Sequence, residues 1–131
     1  MSNVAATNRQ TRIFDGSPRE IRQVRDFVAQ VVDGCPVAED VVLLSSELAT
    51  NAVLHTASGV GGTFSVFVYA EDAWVRVEVH DLGSAKAPAV RRRGLPGESG
   101  AGLSLIETIA RRWGFHGGQR GRVVWFELDW S

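Results

Sequence analysis

One helix-forming segment carries three polar side chains that could do chemistry together. In SSELATNAVLHTASG, Glu47, Asn51 and His55 follow one another at steps of four among apolar residues. Four residues advance a helix by about 400°, so Glu47 and Asn51 share one face and His55 lies at its edge. Glutamate and asparagine oxygens suit a hard Mg²⁺ ion, or they can position a water molecule. His55 by itself is expected to be a hydrogen-bonded structural histidine rather than a ligand.

The composition of this helix favours burial over a solvated face. Between positions 41 and 54, the polar residues besides Glu47 and Asn51 are Ser45, Ser46 and Thr50. A helix that is apolar on nearly all sides is expected to be buried on most of them. A buried glutamate is costly unless it is paired or liganded, so a functional role for Glu47 and Asn51 is slightly favoured over a solvated face.

A second acidic residue lies where a strand is expected to end. In WVRVEVHD, Val75, Val77 and Val79 share one face of the strand, and Asp81 continues their parity. Asp81 is therefore expected on the core side, just before the chain enters a loop. It is either a turn-forming residue, which is common in D-L-G, or a carboxylate at the floor of a cavity that accepts a hydrogen bond from a ligand.

A glycine-rich stretch leads directly into an apolar helix. GESGAGLSLIETIA places Gly97, Gly100 and Gly102 just before the helical spacing begins. The N-terminus of a helix offers free N–H groups and a positive dipole end, and glycines let a phosphate approach the backbone closely. The pattern matches neither the P-loop nor the dinucleotide fingerprint, and a flexible turn is the alternative interpretation.

These groups must be positioned by an alternation of strands and helices. The first helix is predicted to start with a capping box formed by Ser17 and Glu20, with Pro18 at its first position. We predict an α+β fold, a two-layer sandwich of a mostly antiparallel sheet with helices on one face. The predicted elements begin with a strand at 11–14 and a helix whose apolar stripe is Ile21, Val24, Phe27, Val28 and Val31. A second helix follows from about 37 to 56, with the core stripe Val41, Leu44, Leu48 and Ala52. A hairpin over 63–81, which turns at Glu71 and Asp72, then leads to a loop over 82–100, a further helix, a short strand near 113–116 and a closing strand.

The overall composition excludes several classes of protein. The chain has 131 residues, of which 44% are hydrophobic, which is enough for one domain with a real core. Its formal net charge of -1 gives no general attraction to nucleic acid or to an anionic membrane. A single cysteine fits a reducing cytoplasm, and no apolar run approaches the roughly 20 residues that span a bilayer. We expect residues 1–10 to form a flexible tail and residues 11–131 to form one domain.

Together, the three motifs resemble a known superfamily. In this order and spacing, E-L-A-T-N-A-V-L-H resembles the N box of the GHKL ATPases, D-L-G their first glycine box and G-A-G-L their second. The superfamily includes the gyrase, histidine-kinase and mismatch-repair nucleotide domains. The small size of the chain and its ending RRWG…VVWFEL are similar to the anti-sigma-factor serine/threonine kinase branch. The resemblance covers about residues 13 to 129 and implies the histidine-kinase-like ATPase fold, also called the Bergerat fold.

The resemblance implies a role for each matching residue. Glu47 matches the catalytic acid of the N box, which acts as a base or orients the nucleophile. Asn51 matches the asparagine that binds Mg²⁺, and Asp81 matches the acid that reads adenine, with Gly83 beside it. The phosphate-loop positions implied by the second glycine box are Gly100, Gly102 and the adjoining Leu103.

Two features depart from the family pattern or extend it. Ala85 replaces the second glycine of a fuller D-x-G-x-G box, a replacement that the branch tolerates. The loop between the glycine boxes is short for an ATP lid, and it contains Arg91, Arg92 and Arg93. These arginines either contact phosphate or face the acidic surface of a partner, although a solvated run of charge is the favoured interpretation.

The implied function is a Mg²⁺- and ATP-dependent protein serine/threonine kinase. It would phosphorylate an anti-anti-sigma antagonist, hold a sigma factor inactive and work as a homodimer in the cytoplasm. The alternative is an ATP-binding regulatory module that binds partners without significant phosphotransfer. A structural domain without a nucleotide site is the third interpretation. It would have to explain by chance the polar face of the helix, the acid on the core side of the strand and the glycine-rich stretch.

Overall fold

A computed structural model describes residues 8–84 and 104–130 of the chain. Its strands are β1 (Asn8–Asp15), β2 (Thr63–Ala70), β3 (Trp74–Asp81), β4 (Arg112–Gly118) and β5 (Gly121–Asp129). They form one antiparallel sheet in the order β1-β2-β3-β5-β4. The α-helices are α1 (Ile21–Val31), α2 (Ala38–His55) and α3 (Ser104–Ile109).

The helices cover one face of this sheet. Along β2, β3 and β5, buried side chains alternate with half-buried ones, as expected when one face packs on a core and the other faces solvent. Helices α1 and α2 contact each other and the strands on the covered face. The predicted α+β sandwich with a mostly antiparallel sheet is therefore confirmed.

The apolar stripe of α1 forms much of the contact with the sheet. Aromatic rings connect the two layers, because Phe14 of β1 stacks on Phe64 of β2 with ring centroids 5.6 Å apart and meets the edge of Phe27 at 5.9 Å. The predicted stripes of both long helices are confirmed. Ile21 is half-buried against the core, and the buried members are Val24, Phe27, Val28 and Val31 in α1 and Val41, Leu44, Leu48 and Ala52 in α2.

The predicted capping box at the start of α1 is wrong. Pro18–Glu20 form a 3₁₀ turn ahead of α1, and the Ser17 side chain makes no cap hydrogen bond within the described chain. The Glu20 N–H donates instead to the Ser17 carbonyl oxygen at 2.9 Å. The tighter 3₁₀ turn thus satisfies through the backbone the N–H group that the serine hydroxyl would have accepted from.

Strand β1 begins earlier than the strand predicted at 11–14. Residues 8–10, which were predicted to belong to the flexible tail, pair with the last three residues of β2. Ladder hydrogen bonds are made by the backbone, so polar side chains do not prevent these residues from extending the strand.

The other described elements follow the prediction. Helix α2 matches the helix expected from about 37 to 56, the hairpin of β2 and β3 turns at residues 71–73, and β4 and β5 match the two strands predicted near the end of the chain. Most of the predicted loop over 82–100 lies outside the described residues. In the described part of the chain, no helix combines the length and the apolar character needed to cross a membrane.

Candidate functional site

The polar face of α2 lies at the boundary between the core and the surface. Asn51 is buried, with 7% of its surface exposed, whereas Glu47 is half-buried and His55 is exposed. Residues four apart on a helix have Cβ atoms about 5–6 Å from each other. The structure therefore brings Glu47 and Asn51 together and leaves His55 at the rim, as their spacing predicted.

The side-chain amide of Asn51 has an unsatisfied group. Its Nδ2 atom is buried and has no hydrogen-bond partner among the described residues, and the same holds for the Ser45 hydroxyl on the same helix. Buried polar groups are nearly always hydrogen-bonded, so an orphaned amide indicates a place where a ligand or an ordered water completes the site. The Nδ2 group is a donor and therefore fits an acceptor such as a phosphate oxygen of a nucleotide, whereas a metal ion would be ligated by the Oδ1 atom of the same amide.

The environment of Glu47 changes the acidity of its carboxyl group. Burial raises the pKa of Glu47 above its ordinary value, because the charged form loses solvation. A carboxylate whose pKa is raised toward the working pH is a better proton acceptor. The Glu47 side chain lies one helical turn before Asn51, and its catalytic role stays a prediction.

Asp81 is buried on the core side of β3, as its parity predicted, and its carboxylate is bonded within the protein. The Asp81 Oδ1 atom accepts a hydrogen bond from the Gly83 N–H at 2.8 Å. The Oδ2 atom accepts one from Arg122 Nε at 2.8 Å, and both charged side chains are almost completely buried. These contacts agree with the turn-forming interpretation of D-L-G, and a hydrogen bond from a ligand to this buried carboxylate stays a prediction.

Sequence reasoning missed Arg122. This residue lies on β5 directly opposite Asp81 and shares the core-facing parity of Val124, Phe126 and Leu128. A charged residue on the core-facing side of a strand was the same signal that identified Asp81. The pairing of β3 with β5 in this register, which joins the two charges, could not be deduced from the local sequence.

Gly83 occupies a position that a larger residue cannot take. Its φ of +96° is unfavourable for residues with a Cβ atom. A Cβ added there would lie 2.3 Å from the Gly118 carbonyl oxygen, and the Ser84 N–H also donates to that oxygen. The glycine beside Asp81 therefore lets the turn between β4 and β5 pack directly against the end of β3.

Hydrogen bonds fasten the end of α2 to the end of β3. The Leu82 N–H donates to the Ser58 hydroxyl at 2.9 Å, and the Ala57 N–H donates to the Gly83 carbonyl oxygen at 3.0 Å. Ser58 is fully buried, and its own N–H donates to the hydroxyl of Thr56. These contacts hold the segment that follows α2 against D-L-G, so the helix that carries Asn51 and the strand that carries Asp81 meet at one end of the molecule.

A metal ion at this site would have few protein ligands. Among the parts of the chain that are described, no group of three or more His, Cys, Asp or Glu side chains could hold a metal ion. Mg²⁺ usually takes one or two protein oxygens together with substrate phosphates and water, so the Asn51 amide oxygen is a suitable single protein ligand.

The remaining predicted positions lie outside the described residues. They are Ala85, Arg91, Arg92, Arg93, Gly97, Gly100, Gly102 and Leu103.

A groove of about 790 Å³ lies at the opposite end of β3 and β5. It is lined by residues that include Trp74, Arg112, Glu127 and Trp130, and it contains none of the predicted site residues. The candidate site at Asn51 and Asp81 is therefore separate from this groove.

Comparison with known proteins agrees with this geometry. A solved structure similar to this chain is the crystal structure of the RsbU and RsbW domains of Rv1364c from Mycobacterium tuberculosis, with a TM-score of 0.70 and 20% sequence identity. The similarity covers 92% of this chain and 32% of that one, so this chain spans about a third of that protein's length. No curated protein matches the chain. The family model of the histidine kinase-like ATPase domain matches residues 14–128, and the chain therefore belongs to that family.

Proposed function

We propose that this domain binds Mg²⁺ and ATP at the end of α2 and transfers the γ-phosphate to a serine or threonine of a partner protein. The observation that carries the proposal is the buried Asn51 amide, whose unsatisfied Nδ2 donor fits a phosphate oxygen, one helical turn from a half-buried glutamate with a raised pKa. A binding site for ATP accords with the ATPase family to which the chain belongs.

Each matching residue has a proposed role. Asn51 would ligate the metal through its amide oxygen, and Glu47 would accept the proton of the attacking hydroxyl or orient it. Asp81 would accept a hydrogen bond from the adenine amino group, with Gly83 allowing the close packing beside it. Mg²⁺, when bound, neutralises phosphate charge during transfer. By resemblance, Gly100, Gly102 and Leu103 would form the phosphate loop.

The proposed partners follow from the anti-sigma-factor branch. The resemblance of the sequence motifs to that branch implies an anti-anti-sigma antagonist as the phosphoryl acceptor, and the fold is similar to that of a protein with an RsbW domain. We further propose that the domain holds a sigma factor inactive, acts in the cytoplasm and works as a homodimer. An ATP-binding module that regulates partners without phosphotransfer is the alternative that the experiment must separate.

Calorimetric titration with ATP, with and without Mg²⁺, tests the proposal. The wild type is expected to bind ATP more tightly with Mg²⁺. Asn51→Ala is expected to lose most of this metal dependence, because one ligand oxygen is removed. Gln30→Ala is the matched control, since it truncates an exposed amide on α1 and should leave binding unchanged.

The outcomes separate the proposal from its alternatives. Metal-dependent binding that is lost in Asn51→Ala supports the site, and transfer of labelled γ-phosphate to purified anti-anti-sigma proteins then supports the kinase. Binding without transfer to any of these proteins favours the regulatory module. If millimolar ATP does not bind to the wild type, the nucleotide site is wrong.

A further inference from the structure

A buried ion pair connects the proposed adenine-reading carboxylate to the neighbouring strand. The Arg122 Nε atom lies 2.8 Å from Asp81 Oδ2, with 2% of the Arg122 side chain and none of the Asp81 side chain exposed. The Gly83 N–H holds the other carboxylate oxygen at 2.8 Å. Because each oxygen has one fixed donor, the orientation of the carboxylate is set from two directions.

This pair occupies positions where the sheet otherwise carries apolar side chains. Val79 precedes Asp81 on the core face of β3, and Val124 follows Arg122 on the core face of β5. Removing two charges from water is expensive, and well-packed apolar residues are often at least as stabilising as a buried ion pair. A requirement for a negative charge at Asp81 explains why an arginine lies beside it.

The ion pair leaves capacity for a ligand. A carboxylate has about four lone-pair directions, and the two described donors use one on each oxygen. The carboxylate therefore keeps unused acceptor capacity, which the exocyclic amino group of adenine, a hydrogen-bond donor, would fill in the nucleotide-bound state that the proposed function requires. Arg122 has only hydrogen-bond donors and cannot accept a hydrogen bond from the amino group, so it acts through Asp81.

We propose that Arg122 is the positioning residue for base selectivity, holding the Asp81 carboxylate in the orientation that accepts the adenine amino group. The inference rests on the proposed function, because it concerns the same nucleotide site. It adds a residue on β5 that the three sequence motifs do not include. The guanidinium is planar and always charged, so it provides a fixed donor and a permanent compensating charge.

The experiment compares ATP with purine riboside 5′-triphosphate, which differs from ATP only in lacking the exocyclic amino group. We expect the wild type to bind ATP at least about tenfold more tightly, since a hydrogen bond to a charged acceptor is lost with the analogue. In Arg122→Gln this ratio is expected to fall toward one, mainly through weaker binding of ATP. A purely structural role would weaken both nucleotides alike and leave the ratio unchanged, which would overturn the inference.

Two further variants keep the test decisive. Arg122→Lys retains the charge that compensates Asp81 but replaces the rigid guanidinium with a rotatable ammonium, so its ratio should fall by about threefold or more. If Arg122→Gln does not fold, Arg122→Lys provides the test. An Arg122→Lys variant with the same ratio of affinities for ATP and the analogue as the wild type would overturn the inference. Arg112→Gln, an exposed arginine paired with Glu127, is the matched control and should keep the wild-type ratio.

Failure of the inference can be told apart from failure of the proposed function. A wild type that binds neither nucleotide overturns both. A wild type that binds ATP with Mg²⁺ but has a ratio near one, or variants with an unchanged ratio, overturn only the role of the ion pair.

Discussion

Glu47 illustrates how the position of one residue sets its chemistry. It is half-buried on the face of α2 that also holds Asn51, and burial raises the pKa of its carboxyl group. An exposed glutamate would be a weaker base, because water stabilises its charged form. In the proposed reaction, the partial burial of Glu47 would therefore favour transfer of the proton from the acceptor hydroxyl.

Replacing Glu47 should separate binding from catalysis. We expect Glu47→Ala to reduce phosphotransfer by about 10²–10⁴-fold, the range typical of a lost general base, while most of the ATP binding remains. In the wild type, transfer should increase with pH as the Glu47 carboxyl group loses its proton, and the midpoint should lie above the ordinary pKa of a glutamate. Labelled-phosphate assays and calorimetry on the same samples measure the two effects.

Glu39→Ala is the matched control, because Glu39 is an exposed glutamate in the first turn of the same helix. It should leave both binding and transfer unchanged. Full transfer activity in Glu47→Ala would show that Glu47 is not the base.

At the scale of elements, the junction of β3 with the turn between β4 and β5 depends on a missing Cβ atom. Gly83 combines a φ of +96° with a backbone contact that leaves no room for a methyl group. The Gly83 carbonyl oxygen also accepts a hydrogen bond from Ala57, just after α2, so three segments meet at this glycine. The same D-L-G therefore serves both the architecture and the proposed site.

Gly83→Ala should be markedly destabilising. The left-handed conformation of an alanine costs about 1–2 kcal/mol, and overpacking against the Gly118 carbonyl oxygen adds about 1–3 kcal/mol. Gly34→Ala is the control, because Gly34 has a φ of +88° but nothing within 4 Å of an added Cβ, so it should show only the conformational penalty. Urea denaturation measures the free energy of unfolding of both variants. An equal loss in the two would show that the turn between β4 and β5 accommodates the added methyl group and that overpacking does not contribute.

At the scale of the whole molecule, the uncovered face of the sheet is held by a network of charges and rings. Arg76 of β3 donates to Glu78 and Glu127, each at 2.7 Å, and lies over the Trp125 ring at 4.1 Å. His80 Nε2 lies 2.9 Å from Glu78. Burial alone would raise the pKa of Glu78, but the hydrogen bonds from His80 and Arg76 outweigh it and hold that pKa below its ordinary value.

This network predicts a contribution to acid denaturation. A depressed pKa means that the unfolded chain binds more protons than the native one, so the Glu78 contribution is present above about pH 5 and is lost progressively below it. We expect Glu78→Gln to lower the thermal midpoint at neutral pH and to flatten its fall between about pH 5 and pH 3. Glu107→Gln, on the exposed side of α3, should leave the profile unchanged. An unaltered profile in Glu78→Gln would contradict the pKa assignment.

Local physics explains why much of the fold could be predicted. Apolar residues that recur along α1 and α2 must face the core, and the alternation in β2, β3 and β5 is visible in the sequence, because each period belongs to one type of backbone. The capping box was wrong because a serine followed by a proline and a glutamate is compatible with two turns. Backbone hydrogen bonding decided for the 3₁₀ turn.

The sequence by itself determined which groups could do chemistry. The spacing of Glu47 and Asn51 places them on one helical face, and the parity of Asp81 places it on the core side of its strand. Both conclusions need only the period of a helix or a strand, which the spacing of residues along the sequence is enough to apply. The motifs also predicted the family, which the family match over 14–128 confirms.

Only the tertiary structure decided what those groups contact. The pairing of Asp81 with Arg122 requires β3 and β5 to be neighbours in one particular register, although they are separated along the chain by α3 and β4. The unsatisfied amide of Asn51 depends on which atoms pack around it, and the raised pKa of Glu47 depends on the depth of its burial. Such properties arise from contacts between distant segments, and no local period encodes them.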